Sequence, residues 1–153
     1  MKYIVDTNVF IPILNYYYED IFISFWKKFN ELVKENIIIS VRDVYKELEN
    51  SKNFNILKKF EDIFLEPNND EIDMIREMLN NPNFIKSKDK DKIINGKPYA
   101  DLYIIAKAKK ENCIVVTDET FIENAPKIPT ICKYYNIECI NMHDFIKRLN
   151  LKL

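Results

Sequence analysis

Two hydrophobic periods take turns along this chain, and the changeovers between them mark out its elements. Tyr3-Ile4-Val5 is a short β-branched and aromatic run that stops at Asp6-Thr7-Asn8; runs of this kind, bounded by polar residues, read as buried strands. Ile37-Ile38-Ile39-Ser40, Ile114-Val115-Val116 and the run from Ile137 to Ile140 repeat the pattern. Between these runs the spacing is helical. Val9 to about Tyr17 reads as a short helix despite Pro12, and Asp20 to Lys34 as a longer one with Ile21, Phe25, Phe29 and Leu32 on its inner side. Val41, Val44, Tyr45 and Leu48 make a stripe over 41–49, with Glu47 on its flank. Asn53 to Phe64 is amphipathic in the same way; Pro67 ends it, and Asn69-Asp70 caps a helix to about Leu79.

From Asn80 to Pro98 the pattern gives way to a polar connection in which Lys86, Lys88, Lys90, Lys92 and Lys97 interleave with Asp89 and Asp91. Long connections in compact domains often serve function. This one reads either as a flap that contacts phosphates or as a plain solvated loop. Tyr99 to Glu111 resumes helical spacing, with Ile104, Ile105 and Ala108 inward and Lys107, Lys109, Lys110 and Glu111 outside. One turn earlier on the apolar side stands Asp101. A carboxylate there is costly unless something positive meets it. The helix N-terminus offsets about 0.3–1 kcal/mol of that cost, and a bound cation would offset much more. Thr130–Tyr135 and His143–Leu149 read as two short closing helices.

This alternation predicts one domain over 1–153, an α/β fold in which a central parallel sheet is the middle layer of a three-layer α/β/α sandwich. Tyr3–Val5 would be its central strand, which puts Asp6 at the carboxyl edge where open α/β sheets bind ligands. Asp6 could equally be a helix cap.

Composition narrows the chemistry. The chain has 153 residues, 47% apolar and 31% charged, with no apolar run near the ~20 residues of a membrane span. Met1-Lys2 leads straight into a strand and does not read as a signal peptide, so a cytoplasmic location is expected. Cys113, Cys132 and Cys139 are odd in number and lack C-x-x-C spacing, as befits reduced thiols. Gly96 is the single glycine, which excludes G-x-G-x-x-G and Walker A phosphate loops. The formal charge of −1 supplies no overall basic field for nucleic acid, though local lysines can still grip phosphates. The one histidine, His143, falls at a helix start and reads as a surface residue.

Four acids occupy comparable places: Asp6, Glu47, Asp101, and either Asp118 or Glu119. Parallel βα units bring strand ends and following helix starts to one edge. Carboxylates gathered there repel one another unless a divalent cation neutralises them. Oxygen-only ligands favour Mg²⁺ or Mn²⁺ over zinc, and such a site suits phosphodiester hydrolysis by metal-activated water.

Ile4-Val5-Asp6-Thr7-Asn8-Val9-Phe10, Glu47 in a Val-x-x-Glu-Leu setting, Ala100-Asp101-x-x-Ile104-Ile105-Ala106 and Val116-Thr117-Asp118-Glu119 resemble the PIN-domain nucleases in order and spacing. That group includes the VapC toxins of toxin–antitoxin pairs. The resemblance implies that Asp6, Glu47, Asp101 and an acid after Thr117 bind Mg²⁺ or Mn²⁺, with Asn8 and Thr117 in support. The family's fourth acid sits two places after the threonine, at Glu119, whereas residue type points to Asp118. The resemblance further implies a metal-dependent endoribonuclease acting on RNA, an antitoxin protein as partner, and a homodimer. The segment from Asn53 to Pro98 is longer than in compact VapC toxins.

Two rivals share these residues. One is a PIN-like module that binds RNA or protein without cutting it. The other is a phosphatase or receiver-like protein phosphorylated on Asp6, although the phosphatase needs Asp where Asn8 stands.

Overall fold

The computed structural model describes residues 1–152. Strand β1 (Tyr3–Val5) leads into helix α1 (Thr7–Tyr16), which carries Pro12 in its interior. Helix α2 (Ile23–Lys34) follows, then β2 (Ile38–Val41) and α3 (Arg42–Leu48). A short α4 (Phe54–Lys58) and a 3₁₀ turn at Glu61–Ile63 lead to β3 (Phe64–Leu65). Next come α5 (Asn69–Met78), α6 (Ser87–Ile94) and α7 (Asp101–Glu111). The chain closes with β4 (Ile114–Val116), α8 (Ile128–Tyr134), β5 (Cys139–Ile140) and α9 (Met142–Arg148).

All strand pairs are parallel, and the order across the sheet is β3-β2-β1-β4-β5. Helices flank this sheet in the α/β/α arrangement expected from the sequence. The first half of the chain steps outward from β1 to β2 and β3. The second half returns to the other side of β1 and steps outward through β4 and β5. Connections therefore leave β1 and β4 in opposite directions, which opens a crevice at their carboxyl ends. Ser40, fully buried in β2, donates its hydroxyl to the Val5 carbonyl at 2.7 Å and secures the end of β1.

The core runs through both helix layers, with Ile4, Val5, Phe10, Phe25, Phe29, Ile104 and Val115 buried. An aromatic group of Tyr17, Phe22, Phe25, Trp26 and Phe29 fastens α2, and the Trp26 indole donates to the Tyr17 carbonyl at 2.5 Å. With a single glycine available, helix ends use asparagine instead. Asn36, Asn112, Asn136 and Asn150 adopt φ between 55° and 58° just after α2, α7, α8 and α9, and Gly96 does so after α6. Asparagine is the non-glycine residue best suited to this left-handed region.

Several sequence expectations need correction. Ile21, expected on the inner side of the second helix, precedes α2 and is exposed. The amphipathic stretch from Asn53 to Phe64 is not one helix: it splits into α4, the 3₁₀ turn and the first residue of β3. A two-residue edge strand has no room to display a period. The polar connection from Asn80 to Pro98 contains α6, supported along its surface by an Asp89–Lys92 pair at 3.4 Å. Lys107, expected outside, is buried; its ammonium lies 2.9 Å from the Glu71 carboxylate, itself fully buried at the head of α5. This pair pins α5 to α7.

Candidate active site

The crevice beside β1 and β4 is built by residues immediately beyond the strands. Asp6 follows β1, caps α1 and is almost wholly buried. Its Oδ1 accepts the Thr7 N–H at 2.7 Å and its Oδ2 accepts the Thr117 hydroxyl at 2.8 Å. Thr117, buried after β4, also accepts the Glu119 N–H at 3.1 Å. The Asn8 amide reaches the Thr117 hydroxyl at 3.3 Å, and its carbonyl oxygen accepts the Asp118 N–H at 3.1 Å. Asn8 thus bridges the segments that leave β1 and β4.

Glu47, on the last turn of α3, reaches both remaining sides. Its Oε1 accepts the Thr7 hydroxyl at 2.5 Å, and its Oε2 accepts the Ala100 N–H at 3.0 Å. It is therefore held by the residue after Asp6 and by the residue before Asp101. One turn earlier, Asp43 accepts the Tyr99 N–H at 3.0 Å. These two acids of α3 satisfy backbone donors at the head of α7, where Ala100 offers no side-chain cap. Asp101 opens α7, and its carboxylate faces the Tyr99 hydroxyl across 3.5 Å.

The electrostatics follow from this crowding. Burial pushes the Asp6 carboxyl up to about 7; the hydrogen bonds from Thr117 and Thr7 oppose the rise, and Glu119 and Glu47 add to it. Burial also raises Asp101 well above the usual carboxylate range, with Glu119, Asp6, Glu47 and Asp89 adding repulsion. Glu119 rises through burial, offset by Lys127 and the Ile128 backbone, with Glu47 pushing it further up. Burial raises the Tyr99 phenol, and Asp101 beside it adds to the rise. Asp6, Glu47, Asp101 and Glu119 thus come from four segments and act on one another through space.

The two residues offered for the fourth acid separate. Asp118 turns away from the group, and its Oδ1 accepts the Met142 N–H at 2.8 Å at the start of α9. Glu119 is half-buried, and its charge acts on both Asp6 and Asp101. Neighbouring residues on an extended segment point to opposite sides, so only one of them can turn inward. His143 is exposed on α9.

Oxygen donors alone line this crevice, the chemistry a hard divalent cation prefers. As placed, no three His, Cys, Asp or Glu side chains stand at ligating separation among the described residues. Hydrogen bonds from Thr7, Ala100 and Thr117 fix the orientation of Glu47 and Asp6. Asp101 carries the argument for fit. It is a half-buried acid under repulsion from four others, and its carboxylate has only the weak Tyr99 contact among the described residues.

Residues 3–153 match the family described as "Domain of unknown function (DUF4411)". The chain belongs to the DUF4411 family. A search of the curated proteins finds no match. Among solved structures, this DUF4411 chain is similar to VapBC2 from Rickettsia felis bound to a DNA fragment from their promoter. That likeness has 18% identity and a TM-score of 0.51, covering 92% of this chain and 98% of the other. It is also similar to VapBC-1 from nontypeable Haemophilus influenzae, with 15% identity, a TM-score of 0.52, and 94% and 99% of the two chains covered. At these identities the likeness is one of fold, and the fold is the PIN-like one expected from the sequence.

Three residues of the DUF4411 crevice escape a reading of the sequence. Thr7 lies inside the polar triplet after β1, yet nothing local reveals that it reaches Glu47, 40 residues away. Asp43 and Tyr99 meet across 56 residues. The available signal for Asp43 is its spacing: four residues before Glu47, it lies on the same helix face.

Proposed function

We propose that this protein is a metal-dependent endoribonuclease, the toxin of a toxin–antitoxin pair. The observation that carries this reading is the convergence of Asp6, Glu47, Asp101 and Glu119 on the carboxyl edge of a parallel sheet, where Asp6 is buried and Glu47 is tied to the residues next to Asp6 and Asp101. Asp6, Asp101 and Glu119 would hold Mg²⁺ or Mn²⁺, together with Glu47. When bound, the cation lowers the pKa of a water and stabilises charge on the attacked phosphate. The chain's own part is positioning. Thr117 and the Thr7 N–H orient Asp6, Thr7 and the Ala100 N–H orient Glu47, and Asn8 ties the two strand ends together.

Helix α6 supports an RNA substrate. Its Asp89 acts on both Asp101 and Tyr99, so this lysine-bearing helix stands beside the carboxylates rather than far out in solvent. Lys86, Lys88 and Lys90 are then available to backbone phosphates, which fix the register of a nucleic acid without reading its sequence. The reading of Asp6 as a phosphorylated residue finds less support: the phosphatase needs a second Asp where Asn8 stands, and Asn8 instead bridges to Thr117 and Asp118.

An antitoxin partner fits the fold likeness to the VapBC assemblies. Tyr16, Tyr18, Ile21 and Ile23 leave an exposed apolar surface between α1 and α2 that a protein partner or a second copy of this chain would cover.

The test is cleavage of mixed RNA with Mn²⁺, in the parent and in Asp101→Asn. Metal-dependent cleavage that falls at least a hundredfold in the variant supports the reading. Cleavage that survives both chelator and substitution defeats the metal mechanism, and RNA binding without turnover under any metal favours a non-cutting module.

A further inference from the structure

An aromatic hollow lies between the segment after β4, the segment before α6, and α8. It measures about 410 Å³, within the range of small-ligand pockets, and Phe84, Phe121, Lys133 and Tyr134 line it with the amides of Asn81 and Asn83. None of these residues belongs to the carboxylate group. Phe84 is buried and meets Tyr134 edge to face, centroids 5.1 Å apart, which fixes that wall. Phe121 is held from its neighbour: the Thr130 hydroxyl donates to the Ile122 carbonyl at 2.6 Å and accepts the Ile122 N–H at 3.2 Å. The Lys133 ammonium stands 5.1 Å above the Phe121 ring. The hollow is thus already built, yet Tyr134 is 70% and Phe121 44% exposed.

We propose that this hollow is a nucleobase subsite, taking one unpaired base of a single-stranded RNA whose backbone continues to the carboxylates. The identity of the ligand rests on the nuclease reading above. Aromatic rings accept any base by stacking, and asparagine amides offer both a donor and an acceptor to a base edge. Lys133 supplies a cation for the phosphate attached to that base. Glu123 also lines the hollow, which favours a neutral base with amino groups inside it over a phosphate. Position completes the case. Phe121 is two residues from Glu119, so no more than about 7 Å of chain separates the hollow from the fourth acid.

The experiment measures binding of a short fluorescent single-stranded RNA to the full chain carrying Asp101→Asn, in chelator. A series of the same RNA with one abasic position at a time is measured beside it. Added to that background, Phe121→Ala and Tyr134→Ala are expected to weaken binding roughly five- to hundredfold, and Tyr134→Phe to restore it. One abasic position should reproduce the loss in the background protein and add nothing in the alanine variants. Unchanged affinity in these variants, or a flat abasic series, overturns the subsite, as does failure of the background protein to bind RNA. An aromatic side chain of a protein partner as the natural occupant would give that flat series. Cleavage by the parent with a flat series sinks the subsite alone. Base-dependent binding without cleavage by the parent sinks the nuclease reading and leaves the subsite.

Discussion

The Thr117 hydroxyl donates to Asp6 Oδ2 across 2.8 Å and 111 residues of sequence, joining the carboxyl ends of β1 and β4. It is the strongest of the contacts that lower the Asp6 carboxyl against its burial. Because the same oxygen receives the Glu119 N–H, one side chain positions two acids.

Thr117→Val keeps the shape and removes the hydroxyl. The Asp6 carboxyl should then rise further above about 7, and metal-dependent cleavage should fall roughly 10- to 100-fold, as for other groups that orient ligands. The pH profile distinguishes this from a merely structural defect. Its acidic limb should move to higher pH in the valine variant and return in Thr117→Ser.

Asp6 also sets a pH dependence of stability. Its carboxyl goes from 3.8 in the unfolded chain to about 7 in the fold, so between these values the folded state holds a proton that the unfolded chain has lost. Stability of the metal-free protein should therefore fall as pH rises through this window, at most roughly 1.4 kcal/mol per pH unit from this group. Melting temperatures in chelator at pH 5 and pH 8 test it. Asp6→Asn, which preserves the cap on α1, should reduce the difference and raise the melting temperature at pH 8, leaving the part due to Asp101 and Glu119.

The buried pair between Glu71 and Lys107 makes a third prediction. Removing one partner strands the other charge in the interior, so Lys107→Ala should cost about 3–5 kcal/mol. Replacing both at once, as Glu71→Leu with Lys107→Met, should recover most of that loss. A denaturant titration reads each value, and a double variant as unstable as the single one would contradict the account.

The lysines of α6 should appear in the salt dependence of RNA binding. Each phosphate contact on a single strand contributes a slope of about −0.7 in log affinity against log salt. Alanine at both Lys88 and Lys90 should therefore make the slope shallower by roughly 1.4. An unchanged slope would separate α6 from the substrate.

Much of this architecture is legible along the chain. The three residues of β1 announce themselves because burial on both faces demands an unbroken apolar run, and the polar triplet after them marks the sheet edge. Asp101 stands out because it interrupts an apolar helix face. What stays hidden is what depends on pairing at long range or on very short elements. Phe64-Leu65 is an edge strand too brief to show a period. Lys107 looks like one more surface lysine until α5 lays Glu71 against it. Nothing local decides which of Asp118 and Glu119 turns inward, because a partner at Met142 makes the choice. The polar sequence of α6 conceals a helix that buries none of its residues.

The asparagines that end four helices have an effect on the unfolded chain as well. A glycine at each stop would explore both halves of conformational space when unfolded and surrender that freedom on folding. Asn36, Asn112, Asn136 and Asn150 start from a narrower set of states. The denatured ensemble is correspondingly poorer in backbone entropy, and part of this protein's stability is held there rather than in any contact of the native state.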